Sequence, residues 1–133
     1  MTRGVRMLLA ALALAGVAGC KSDGISGPVS GNLKIKLTTP NVGDGAVMFT
    51  LTGPVAITDT ASGASARVFA GPLGGLTTKF IVTGTLANGA TIMTVGVVDV
   101  NKVAEYTATI QQVAVSSDHS LRALSGYKLS VTR

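Results

Sequence analysis

From Asn32 onward, apolar and polar residues alternate in short runs, and no run keeps a helical period over three turns. Leu33, Ile35 and Leu37 alternate with Lys34, Lys36 and Thr38, which predicts a strand over Leu33 to Thr38 with both ammonium groups on its wet face. A turn-rich stretch from Pro40 to Gly45 closes it. The next strand runs from Ala46 to Thr52, with Val47, Phe49 and Leu51 on one face and Met48, Thr50 and Thr52 on the other, and Gly53-Pro54 ends it. Short segments at Val55 to Thr58 and Ala66 to Ala70 follow, separated by small residues from Thr60 to Ser65 to which the pattern assigns no element.

Thr77 to Ala87 and Ala90 to Val100 flank Asn88-Gly89, the strongest short hairpin signal, because a type I′ turn needs positive φ at both central residues. Such a turn pairs Ala87 with Ala90 and sets Val82 opposite Val95 and Phe80 opposite Val97. Phe80, Val82, Met93, Val95 and Val97 then share the core face, and Lys79, Ile81, Thr83, Ile92 and Thr94 the reverse. Tyr106, Ala108, Ile110 and Ala114 alternate with Glu105, Thr107, Thr109 and Gln111 in a further strand. Tyr127, Leu129 and Val131 line the last one. Seven or eight short strands in about 100 residues predict an all-β antiparallel β-sandwich, immunoglobulin-like or related. A small β-barrel is the alternative, since periodicity does not distinguish closing a sheet from stacking two.

The amino terminus departs from this pattern. Arg3 and Arg6 precede an apolar run from Met7 to Ala18, too short for the about 20 residues that cross a bilayer. Positive start, apolar stretch and small-residue end form a secretory signal pattern. Val17-Ala18-Gly19-Cys20 closes it and resembles the lipobox of bacterial lipoprotein precursors. The resemblance implies cleavage between Gly19 and Cys20, diacylglycerol on the Cys20 thiol, and a membrane held as partner through that lipid. Cys20 is the single cysteine of the chain, so lipidation leaves neither a free thiol nor a disulfide to account for. Lys21, standing where the retention pattern has Asp, implies outer-membrane delivery within the bacterial envelope. The expected organisation is a signal peptide at 1–19, the lipidated cysteine with a Gly/Ser-rich tether at 20–31, and the β domain at 32–133.

Composition narrows the chemistry. Hydrophobic residues are 47% of the chain and charged ones 13%, which favours a folded core over disorder. Without Arg3 and Arg6, nine Lys and Arg face six acids, an excess of +3. With no basic cluster, and Phe49, Phe69, Phe80, Tyr106 and Tyr127 at apparent core positions, the sequence speaks against nucleic acid as a partner.

The one histidine lies in Ser116-Ser117-Asp118-His119-Ser120, the nearest approach to a hydrolytic constellation, with Ser117 or Ser120 beside His119 and Asp99 as an orienting carboxylate from elsewhere in the chain. Consecutive residues point in different directions, and these types are ordinary turn material, so a solvated turn is the expected reading. Asp99 and Glu105 bracket a connection that Asp99 is expected to cap. The remaining acids are scattered singly, which gives no paired-carboxylate chemistry. One histidine does not make a zinc site, Gly43-Asp44-Gly45 has no further carboxylates for calcium and reads as a turn, and Gly71 to Leu76 lacks the lysine of a phosphate loop. No catalytic residue, metal or cofactor is therefore assigned.

The spacing of segments, with a Gly-Pro turn early and a tyrosine-bearing strand late, is similar to that of cohesin-like and carbohydrate-binding sandwiches of bacterial surface proteins. That similarity implies a non-catalytic binding or scaffold role. The expected function is a membrane-anchored binding or structural module that meets an envelope protein or a polysaccharide through a strand edge or an apolar patch including Met48, Ile81 and Ile92. The alternatives are a small envelope hydrolase using His119 and an accessory subunit of an envelope transport or assembly complex.

Overall fold

A computed structural model describes residues 27–133. Gly19, Cys20 and the rest of the signal and lipidation segment lie outside the described residues. Eight strands follow one another: β1 (Gly31–Thr38), β2 (Asp44–Thr52), β3 (Asp59–Ser62), β4 (Ala66–Gly74), β5 (Thr77–Leu86), β6 (Thr91–Val97), β7 (Thr107–Val115) and β8 (Lys128–Thr132). A short 3-10 helix, Val100–Glu105, stands between β6 and β7. The strands form two four-stranded sheets, ordered β3-β6-β1-β8 and β4-β5-β2-β7, and every pairing is antiparallel. The sheets do not close into a barrel, so the fold is the predicted all-β sandwich.

The core lies between the two sheets. Leu33, Ile35 and Leu37 of β1 and Met93, Val95 and Val97 of β6 face Val47, Phe49 and Leu51 of β2 and Phe80 and Val82 of β5, all at 2% exposure or less. Phe49 and Phe80 are cross-strand partners whose rings tilt together at a centroid distance of 5.4 Å, within the favourable range for an aromatic pair.

The predicted hairpin across Asn88-Gly89 is not formed. Its strands belong to opposite sheets, β5 pairing with β2 and β4, and β6 with β1 and β3. The core face was read correctly, because the two strands present the same residues to each other across the core that a hairpin would have set side by side. Gly89 has φ +77° while Asn88 does not enter the positive region, which excludes the type I′ turn. The corner is tied instead to the end of β1. Asn88 Oδ1 accepts from Thr39 N at 3.0 Å, Gly89 N donates to Leu37 O at 2.7 Å, and Leu37 N donates to Ala90 O at 3.0 Å.

Two of the bulges move residues from the face that alternation gives them. Ile35 pairs with Met93 and Lys36 with Thr91, so Ile92 is the extra residue on β6. Ile92 is consequently buried at 2%, which corrects its expected place on the outer face. On β7, Ile110 pairs with Phe49 and Gln112 with Met48. Gln111 and Gln112 are both exposed as a result, and Val113, rather than the expected Ala114, enters the core.

Other boundaries move as well. The early short strand forms at Asp59–Ser62 rather than Val55 to Thr58, and so runs into the stretch from Thr60 that had no assigned element. β4 runs on to Gly74, four residues past the expected end at Ala70, and it joins β5 in a hairpin with Gly74 paired to Thr77. Asp44 is not in a turn but opens β2 with its carboxylate buried.

Candidate binding surface

The registers place outward-facing residues in rows across the β4-β5-β2-β7 sheet, because paired residues share a face. Arg67, Thr83, Ala46 and Ala114 form one row, and Phe69, Ile81, Met48 and Gln112 the next. Phe69 is 57% exposed and Ile81 37% exposed, so an apolar ridge runs from the edge strand into the sheet. Phe69 was expected in the core. The alternation of β4 puts Val68 there instead, paired with Val82, and turns the aromatic ring outward.

Three hollows open around this ridge. One of about 280 Å³ is lined by Phe69, Pro72, Leu73, Lys79 and Ile81. A second, of about 400 Å³, lies over the small residues Gly45, Ala46, Gly84 and Ala114, with Thr83 and His119 also lining it. The third, of about 360 Å³, shares Thr83 and Gly84 with the second and carries Arg67. The floors of the second and third are low because glycine, alanine and threonine stand where larger side chains would fill the surface.

The outer face of the other sheet is different in kind. Lys34 pairs with Thr94 and Thr132, Lys36 with Ser130, and Thr38 with Lys128, so that face is polar and basic. One sandwich thus carries a hydrated face and an apolar, hollowed one.

The open edge of β4 is poorly suited to strand addition. Thr85 N donates to Ser65 O at 3.1 Å, so Arg67, Phe69 and Gly71 turn their peptide groups toward β5, and Val68, Ala70 and Pro72 turn theirs outward. Pro72 has no donor, and Ala66 N is already bonded to Gly63 O at 3.2 Å. The face, rather than the edge, is the better contact.

The residues considered for hydrolysis do not converge. Asp118 Oδ1 accepts from Ser120 N at 3.0 Å and from Ser120 Oγ at 2.7 Å, which holds its carboxyl below the ordinary 3.8. His119 is exposed with φ +60°, and its backbone N–H bonds Val115 O at 3.1 Å. Ser116 and Ser117 are exposed in the same turn. Asp99 caps the 3-10 helix, as expected, by accepting from Asn101 N at 3.0 Å, and its carboxylate also takes Val29 N at 3.2 Å. This is the end where Gly31 pairs with Val97, whereas the His119 turn lies at the end where Asp44 pairs with Val115. The length of β1, eight residues or about 25 Å, separates the two ends. Glu105 is exposed at the end of the 3-10 helix.

Two further features went unseen in the sequence. The Asp44 carboxylate accepts from Thr39 Oγ1 at 2.6 Å, Tyr127 OH at 2.9 Å and Arg122 Nε at 3.2 Å, and Asn41 Nδ2 donates to Tyr127 OH at 3.0 Å. Arg122 also reaches Val42 O at 2.7 Å, locking the β1–β2 turn to the segment before β8. Every group in this cluster is spent on another, so it is a structural latch. At the opposite end, a cleft of about 280 Å³ is lined by Val55, Ile57, Pro72, Leu76 and Tyr106. The Tyr106 hydroxyl is buried without a partner, and its pKa is raised by burial first and then by the charges of Asp99 and Glu105. That oxygen is buried, so the cleft presents the tyrosine ring rather than its hydroxyl.

No group of three or more His, Cys, Asp or Glu able to hold a metal occurs among the described residues, and no helix there is long and apolar enough to cross a membrane. No family model, curated protein or solved structure matches the chain.

Proposed function

We propose that the protein is a lipid-anchored, non-catalytic binding module of the bacterial envelope, and that the outer face of the β4-β5-β2-β7 sheet is its contact with a protein partner. The observation that carries this reading is the contrast between the two outer faces. Phe69, Ile81 and Met48 make an apolar ridge among hollows on one side, while lysines and hydroxyls cover the other. Contiguous exposed apolar surface of this kind marks interaction sites more often than it marks free solvent-facing sheet. Arg67 and Lys79 flank the ridge, which suits an apolar partner surface bordered by acidic groups. A single exposed aromatic ring offers little stacking to sugars, so a protein fits better than a polysaccharide.

The anchor rests on the lipobox-like Val17-Ala18-Gly19-Cys20, with outer-membrane delivery expected from Lys21. Photo-crosslinking in intact cells tests the binding face. A crosslinker at Phe69 or Ile81 is expected to give one reproducible protein adduct, and a crosslinker at Lys36 on the opposite face none. Equal capture from both faces, or none from either, would overturn the assignment. Mass spectrometry of the mature amino terminus checks the anchor by looking for diacylglyceride on Cys20.

A further inference from the structure

The end of the sandwich from which the chain leads back to Cys20 carries five exposed apolar side chains beside the exposed polar groups of the 3-10 helix, Asn101, Lys102 and Glu105. Val29 is docked there, its N–H on Asp99 and its carbonyl accepting from Val100 N at 2.8 Å. Beside it Val98 is 43% exposed and Val29 itself 47%. Gly53 N bonds Leu76 O at 3.3 Å, which brings the β4–β5 hairpin turn against the chain leaving β2. Val55, Leu73 and Leu76 crown this second part of the same end, exposed by 38%, 56% and 46%. Apolar side chains gathered at one end mark a contact surface, whereas the same residues scattered singly would not.

We infer that this end is a bilayer-contacting surface, and that its occupant is the lipid surface to which the chain is tethered. The inference rests on the proposed lipidation of Cys20. From Cys20 to the docked Val29 the chain spans nine peptide units, at most about 30 Å even when fully extended. The body is about as long, since β1 alone covers about 25 Å. The opposite end, with Val42, Leu121 and Leu124, meets the bilayer only if the tether runs fully stretched along the side of the molecule. The docked end needs no such stretch. It therefore faces the membrane at an effective concentration set by the short tether. Val29, Val55, Leu73, Leu76 and Val98 then enter the headgroup boundary, where apolar side chains are favoured. The binding face of β4 and β5 stands upright beside the bilayer, open to a partner.

Fluorophore depth measurement decides the matter. The full-length, lipidated protein is reconstituted in vesicles of phosphatidylethanolamine with a minority of phosphatidylglycerol, some lipids carrying a doxyl quencher. One bimane probe is attached in turn through Val55→Cys, Leu76→Cys, Ile81→Cys or Leu121→Cys, all at exposed positions. Quenching is expected to be severalfold stronger at 55 and 76 than at 81 and 121. Equal quenching at 81 would show the molecule lying on its sheet face. Solvent-level values at 55 and 76 in protein whose mass proves the lipid would show that something other than the bilayer covers this end. Either result overturns the inference and leaves the anchor intact. An unmodified Cys20 would instead overturn the anchor, and the inference with it.

Discussion

Asp44 carries a charge with no solvent contact, and its cation partner Arg122 is 26% exposed. That asymmetry decides what each substitution does. Removing the guanidinium leaves a buried carboxylate held by two hydroxyls alone, whereas removing the carboxylate lets the arginine turn toward water. Arg122→Met is therefore expected to cost about 3 kcal/mol, in the range for a broken buried pair. The double variant Asp44→Asn with Arg122→Met should recover much of the loss, because the stranded charge is gone. Urea midpoints of the unaltered protein, Asp44→Asn, Arg122→Met and the double variant check this, and a double variant no better than Arg122→Met would refute the account. The latch was not legible in the sequence. Gly43-Asp44-Gly45 carries every local mark of a turn, while Arg122 and Tyr127 lie 78 and 83 residues away. Phe69 was misplaced for a related reason. Val68 and Phe69 are both apolar, and alternation alone does not say which of two neighbours faces inward.

Among the elements, strands were legible wherever one face is polar. Lys34 and Lys36 on β1, or Thr50 and Thr52 on β2, fix the inner face at once. Pairing was not legible, since periodicity reports a face and never a neighbour. Asn88-Gly89 shows the difference. The same two residues serve a hairpin or a corner, and bonds to Thr39 and Leu37, far away in sequence, select the corner. Bulges escaped notice because an inserted residue is recognisable only against its partner strand. Gly84 marks one, where β5 slips against β2 between Asp44 and Ala46. Its φ of +144° lies in a region essentially reserved for glycine, and a Cβ there would fall on the carbonyl oxygen of Ser65, just before β4. Gly84→Ala is expected to destabilise the protein by about 2 to 3 kcal/mol. Gly71→Ala, on the adjoining strand with open space around it and no positive φ, should stay within about 0.5 kcal/mol. Thermal melts followed by circular dichroism compare the two. Similar losses at both sites would mean that side-chain volume on the hollowed face matters generally, and that the Gly84 backbone has no special role.

For the molecule as a whole, the two outer faces and two ends have separate characters, and the chain entering at Val29 orients them. The expected tether extended to Gly31, yet its last residues already belong to the body, with Val29 bonded on both sides of its peptide and Gly31 paired to Val97. Asp99 is the group that makes this docking sensitive to acid. The Val29 N–H is the chief reason its carboxyl lies below the ordinary 3.8; partial loss of hydration opposes the shift, and Asn101 N–H and Lys102 add to it. A carboxylate whose folded pKa is depressed contributes stability above its unfolded value, and that contribution disappears as pH falls through the lowered one. Docking of Val29 should therefore be constant from neutral pH down to the ordinary value and weaken only in stronger acid. Amide hydrogen-exchange protection at Val29 measures it directly, with Gly89 at the opposite end as the reference. Asp99→Ala removes the acceptor, so Val29 protection should be low and flat with pH while Gly89 is unchanged. If Val29 instead lost protection between pH 5 and 7, its amide would be answering to another group, and Asp99 would not be what fastens the segment before β1 to the sandwich.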